Sequence, residues 1–140
     1  MFMRFLSIIA FLFFSLSSIA QKEIKLEDVK DHVGDSVKVR GKVFAVKYLE
    51  NAKNSPTFIN MGAAYPDQLL TVVIWGEVRT QLGYKPEEEL PKGIAVVYGK
   101  IELYKGKPQI VIKTPDQLML LRDEEVPADQ IPPIDKKKDN

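Results

Sequence analysis

The chain has 140 residues, with 20 Lys or Arg against 19 Asp or Glu, a single histidine and no cysteine. Near-neutral charge withholds the bulk electrostatic argument for a polyanionic partner, so any nucleic-acid site must rest on local clustering of lysines. The missing cysteines exclude disulfide staples, a thiol nucleophile, a Cys/His zinc cluster and a lipid-modified cysteine, which leaves a packed core as the source of stability.

Residues 1–20 read as an export signal, with Arg4 as the positive start, an apolar run from Phe5 to Leu16, and small residues in Ser18-Ile19-Ala20. Serines interrupt the apolar run, which is shorter than the roughly 20 residues needed to cross a bilayer. A cleaved signal is therefore expected, giving a periplasmic or secreted protein that starts at Gln21 without a lipid anchor. Taking Arg4 away would leave 19 charges of each sign.

A helical turn is expected over Glu27 to His32, closed by Gly34. Ser36 to Tyr48 then alternates Val37, Val39 and Val43 with Lys38, Arg40 and Lys42, the period of a half-buried strand. Gly41 interrupts the alternation and is a candidate bulge or bend. Thr57 to Met61 and Leu70 to Trp75 are the next strands, rich in β-branched and aromatic residues.

Glu77 to Leu82 is the most helix-like insertion, with Gly83 as its stop. Pro86 and Pro91 bracket Glu87-Glu88-Glu89, which read as a solvated acidic loop and not as a metal site. Ile94 to Tyr104 and Lys107 to Lys113 are the last strands, joined by a hairpin turn at Tyr104-Lys105-Gly106-Lys107. From Arg122 onward, prolines and mixed charges read as a solvated tail, in which Asp135 and Asp139 dilute Lys136-Lys137-Lys138.

This order predicts one all-β domain over 21–121, followed by a flexible tail over 122–140. The domain is a five-stranded Greek-key barrel of the oligonucleotide/oligosaccharide-binding (OB) type, with one short helix between the third and fourth strands. The rival is an open α+β sheet. Gly41 and Gly99, in the two longest strands, favour the barrel because a bent strand can pair with two neighbours. Val39, Val43, Ile74, Ile101 and Ile110 are expected to face inward.

Three segments carry a resemblance: Val39-Arg40-Gly41-Lys42-Val43, Thr57 through Pro66, and Leu70-Thr71-Val72-Val73-Ile74-Trp75. Together they resemble exported bacterial OB-fold proteins described as nucleic-acid-binding proteins or lipoproteins. The resemblance spans Ile24 to Leu121, and Tyr98 to Ile112 resembles the usual ending of OB domains. It implies a binding barrel, while the absent cysteine departs from the lipoprotein members.

Catalysis has little to work with, so no enzyme activity and no cofactor are expected. His32 sits in the first helical turn, and the glycines are too scattered to form a phosphate loop. Binding is better provided for, since OB domains use the second and third strands and the loops after the first and fourth. Those places hold Tyr48, Lys53 and Asn54, then Phe58, Asn60 and Tyr65, then Thr71 and Trp75, and finally Lys105 and Lys107.

Aromatics interleaved with lysines suit single-stranded nucleic acid or another extended polyanion, because bases stack on rings while ammonium groups meet phosphates. Each residue also has a structural alternative: Phe58 in the core, Trp75 under the helix, Asn60 satisfying backbone groups near Gly62. Lys53, Lys105 and Lys107 are expected to line one groove. The alternative partner is an envelope protein or glycan.

Overall fold

A computed structural model describes residues 21–90 and 93–121. The export signal read at 1–20 and the tail read at 122–140 lie outside the described residues. In chain order the elements are β1 (Lys22–Lys25), a 3-10 helix (Leu26–His32), β2 (Ser36–Tyr48), β3 (Thr57–Met61) and β4 (Leu70–Ile74). Then come α1 (Gly76–Arg79), α2 (Pro86–Glu89), β5 (Ile94–Lys100), β6 (Glu102–Tyr104), β7 (Lys107–Ile112), a 3-10 turn (Pro115–Gln117) and β8 (Leu118–Leu121).

The long β2 belongs to two ladders. Ser36 through Lys42 pair with β5, and Val43 through Tyr48 pair with β3. The strand thus changes partner between Lys42 and Val43, and its register with β3 shifts just beyond, between Val43 and Ala45. Gly41, the expected bend, does something else. A Cβ there would lie 2.7 Å from Leu26 Cδ2, so the missing side chain lets the 3-10 helix close down on the strand.

β3 and β4 are antiparallel, whereas β4 and β7 run parallel from Thr71↔Gln109 to Ile74↔Ile112. The sheet order is β6-β7-β4-β3-β2-β5-β8, with β1 beside β2. The β5–β7 side is closed by packing. A Cβ on Gly99 would meet Ile110 Cγ2 at 2.6 Å, and Gln117 Nε2 donates to the Tyr98 carbonyl at 2.9 Å.

Inside lie Val39, Val43, Ile74 and Ile110 from the strands and Ile101 from the break between β5 and β6, all 0% exposed. The expected strand phases therefore hold. Their burial follows from the two-residue period: once one face of a strand meets the core, every second side chain is committed to it.

Local details differ from the sequence reading. The strand expected over Ile94 to Tyr104 breaks at Ile101, whose N–H donates to Asp35 O at 3.0 Å and whose carbonyl accepts from Gly34 N at 2.8 Å. The helix expected over Glu77 to Leu82 is α-helical only to Arg79. It then tightens, with Gln81 N bonded to Val78 O and Leu82 N to Arg79 O, the three-residue spacing of a fraying end.

The acidic segment is not a loop but the short helix α2. Pro86 presets its first turn, and Glu88 and Glu89 both donate backbone N–H to Lys85 O. Strands β1 and β8 lack a readable signal. Lys22–Lys25 offers one apolar side chain, and Leu118–Leu121 is a continuous apolar run without alternation.

Candidate nucleic-acid interface

Because Thr57, Ile59 and Met61 point into the barrel, Phe58 and Asn60 must lie on its outer face. The registers extend this into two rows across the sheet. Lys47, Phe58, Val73 and Val111 form one row, and Ala45, Asn60, Thr71, Gln109 and Glu102 form the other. Phe58 is thus a half-buried outer residue and not part of the core.

Among the described residues, Asn60 bonds a side chain and not the backbone at the strand end. Thr71 Oγ1 donates to Asn60 Oδ1 at 3.3 Å, and Gln68 Nε2 donates to Thr71 Oγ1 at 3.2 Å, making a polar relay on the outer face. The side-chain Oε1 of Gln68 is buried and makes no hydrogen bond among the described residues.

At the end of the ladder where β3 finishes and β4 begins, two loops meet. The β6–β7 turn has Lys105 at φ 49° and Gly106 at φ 77°, and Tyr104 pairs with Lys107 across it. Two consecutive left-handed residues make the tight turn that matches strand twist. Lys107 Nζ donates to the Pro66 carbonyl, tying this hairpin to the β3–β4 loop.

That tie gathers two aromatic–lysine pairs. Lys107 Nζ sits 5.6 Å from the Tyr65 ring centroid and Lys105 Nζ 5.5 Å from that of Tyr104. Tyr65 is 75% exposed and Tyr104 59%. Each ring thus carries an ammonium over one face and is exposed enough to offer the other for stacking.

Tyr48, Lys53, Asn54 and Trp75 lie at the other end. One ladder separates the two groups, four residue steps from Thr57 to Met61, or about 13 Å at ~3.3 Å per step. The expected single groove through Lys53, Lys105 and Lys107 is thus not formed, because the parallel β4–β7 pairing sends the last hairpin to the end opposite the 49–56 loop.

Asn54 has a backbone role there, at φ 62° with its carbonyl accepting from Gly76 N at 2.8 Å. Trp75 is 40% exposed at the start of α1. One face of the Tyr48 ring is already occupied: the Arg79 guanidinium lies 3.6 Å from its centroid.

Arg79 organises this end and was not singled out from sequence. Its Nη1 donates to the buried Thr57 hydroxyl at 3.0 Å and to Glu87 Oε2 at 2.8 Å, while Nη2 donates to Glu87 Oε1 at 2.7 Å. The fork holds the Glu87 carboxyl below the usual carboxylate range, and the same hydrogen bond raises Arg79. Thr57 was the available signal, since a hydroxyl on the inward phase of a strand needs a partner.

No protein-family profile matches the chain, and no curated protein resembles it in sequence. Solved structures do match. The crystal structure of yeast Stn1 and Ten1 aligns with a TM-score of 0.54 at 7% identity, over 76% of this chain and 66% of that one. OBody AM1L10 bound to hen egg-white lysozyme aligns at 0.52 and 16% identity, over 74% and 94%. This is an OB fold. The S. pombe Stn1-Ten1 complex aligns at 0.47 and 15% identity over 64% of this chain, which spans 60% of its length.

Proposed function

We propose that this OB barrel binds single-stranded nucleic acid without covalent chemistry, through the surface carrying Tyr65, Tyr104, Lys105 and Lys107. One observation carries the reading: two exposed rings, each with an ammonium group within 6 Å, are held together by the Lys107–Pro66 bond. Bases stacked on the rings contribute roughly 1–3 kcal/mol each, and the lysines supply two phosphate contacts. The Asn60–Thr71 relay lies on the outer face of the same ladder, where it can meet base edges. Likeness to Stn1 and Ten1 structures supports the barrel on which such a surface is built.

The residues before Gln21 support export, so the ligand is met outside the cytoplasm. Mass spectrometry of protein produced from the full sequence in an exporting bacterial host should find a chain starting at Gln21. Binding is tested by titrating fluorescent single-stranded DNA and RNA oligomers at several salt concentrations. Affinity that falls with salt supports the reading, because phosphate contacts release counterions. Absence of affinity even at low salt would sink it and leave the surface to a protein partner.

A further inference from the structure

The sheet has a second outer face, on β1, β2, β5 and β8. Because Val37, Val39 and Val43 point inward from β2, and Ala95 and Val97 from β5, the side chains between them face out. The registers set these in rows: Lys25, Arg40, Val96 and Met119 in one, Lys42, Ile94 and Leu121 in the next. Phe44, at the register shift, stands beside the second row, with Lys42 Nζ 5.4 Å from its ring centroid.

This face is apolar at its centre and basic along one side. Met119 is 48% exposed and Phe44 46%, and the half-buried Ile94 and Leu121 adjoin them. Lys38 is held by Glu23 at 3.1 Å, whereas Lys25 and Lys42 form no ion pair with a described residue. β8 is the edge of the sheet, and it has no charge, proline or bulge to guard it. An exposed apolar patch with a polar rim marks an interaction site.

The chain itself supplies the complement. β8 ends at Leu121, within the second row, and the residues that follow are Arg122, Asp123, Glu124 and Glu125, then Val126-Pro127-Ala128 and Ile131-Pro132-Pro133-Ile134. Two strand spacings, roughly 10 Å in all, separate Leu121 from Lys42, a distance that about three extended residues span. The acidic run is thus centred on the reach to Lys42, and Lys25 lies one strand further.

We propose that residues 122–134 dock on this face, with Asp123, Glu124 and Glu125 against Lys42 and Lys25 and the following apolar residues on Phe44, Ile94 and Met119. The sequence reads this segment as solvated because the face it meets is assembled from four separate strands. A second copy fits less well, since two such faces would bring their basic rims together. The loops that carry the proposed nucleic-acid surface join other strands, so the docking site is a different one.

The protein has no cysteine, so Ala128→Cys gives a unique position for a nitroxide spin label. Docking predicts broadened amide NMR signals at Lys25, Lys42 and Phe44. Lys53 should stay sharp, because it lies beyond Tyr48, six residue steps or about 20 Å along β2 from Lys42. Asp123→Asn, Glu124→Gln and Glu125→Gln together should keep the fold and reduce the broadening at Lys42 by about half, since charge contacts at a surface are individually weak. Equal broadening at Lys42 and Lys53 overturns the proposal, as does broadening that survives the three substitutions unchanged. Mixing spin-labelled protein with isotope-enriched protein lacking the label tests the remaining occupant: sharp signals support docking within one chain, and broadening assigns the face to a second copy and overturns it.

Discussion

Arg79 and Tyr48 are stacked, guanidinium over ring at 3.6 Å, and from that position Arg79 grips Glu87 with two bonds and the buried Thr57 hydroxyl with a third. Four separate segments, the end of β2, the start of β3, α1 and α2, are thereby joined by one side chain. Among the described residues between β4 and β5 are two four-residue helices, too short to be stable alone. Their position depends on this contact.

Arg79→Ala should therefore destabilise the protein by about 2–3 kcal/mol. The pair is only partly buried, with side chains 11% and 29% exposed, so the loss should fall below that of a fully buried ion pair. Arg79→Lys should recover part of the loss, since it keeps the charge but not the planar fork. Urea denaturation followed by tryptophan fluorescence measures both, and equal stability of Arg79→Ala and wild type would refute the linkage.

The same pair predicts an acid dependence. Folding lowers the Glu87 pKa below its ordinary 4.5, mainly through the Arg79 hydrogen bond. The unfolded chain thus binds more protons in that window. The contribution of Glu87 is complete above about pH 4.5 and is lost as pH falls through the depressed folded value. Glu87→Gln should lower stability at neutral pH and flatten its fall below about pH 4.5. Denaturation curves at stepped pH provide the comparison.

Gly99 has φ +157°, and a Cβ on it would lie 2.6 Å from Ile110, a core residue with no exposure. Gly99→Ala should cost about 2–4 kcal/mol, from overpacking together with backbone strain. Gly106 has φ +77° with nothing near its added Cβ. Gly106→Ala should cost only about 1–2 kcal/mol, from the left-handed backbone alone. Thermal melts of the two variants should rank in that order.

If single strands bind at the tyrosine–lysine pairs, Lys105→Gln with Lys107→Gln should reduce the logarithmic salt slope by about 1.4, at roughly 0.7 per phosphate. Tyr65→Ala or Tyr104→Ala should lower affinity and leave the slope unchanged, because lost stacking releases no ions. Lys53→Gln, at the opposite end of the ladder, should change affinity for a short oligomer far less. A Lys53 effect equal to that of Lys105 and Lys107 would show that the ligand runs the length of the sheet.

Strand β2 was legible from its two-residue period, and β3, β4 and β7 from their β-branched and aromatic residues; β2 and β3 have the bounds read from the sequence. The hairpin Tyr104 to Lys107 was legible for a similar reason: a glycine after Lys105 specifies a tight turn locally. Phe58 was undecided, since a strand period divides side chains between two faces without naming the inner one. Thr57 and Ile59 settle it, since both are buried beside the buried Ile74 and Val72 of the neighbouring strand.

The sequence by itself determined what depends on near neighbours in the chain: strand phases, turn chemistry, and the inward set of Val39, Val43, Ile74, Ile101 and Ile110. Tertiary structure alone decided what depends on long-range register. It set Lys53 apart from Lys105 and Lys107, through the parallel β4–β7 ladder, and turned an acidic segment into the partner of Arg79. Local periodicity fixes which side chains share a face, but the meeting of residues far apart in sequence is fixed only when whole strands have paired.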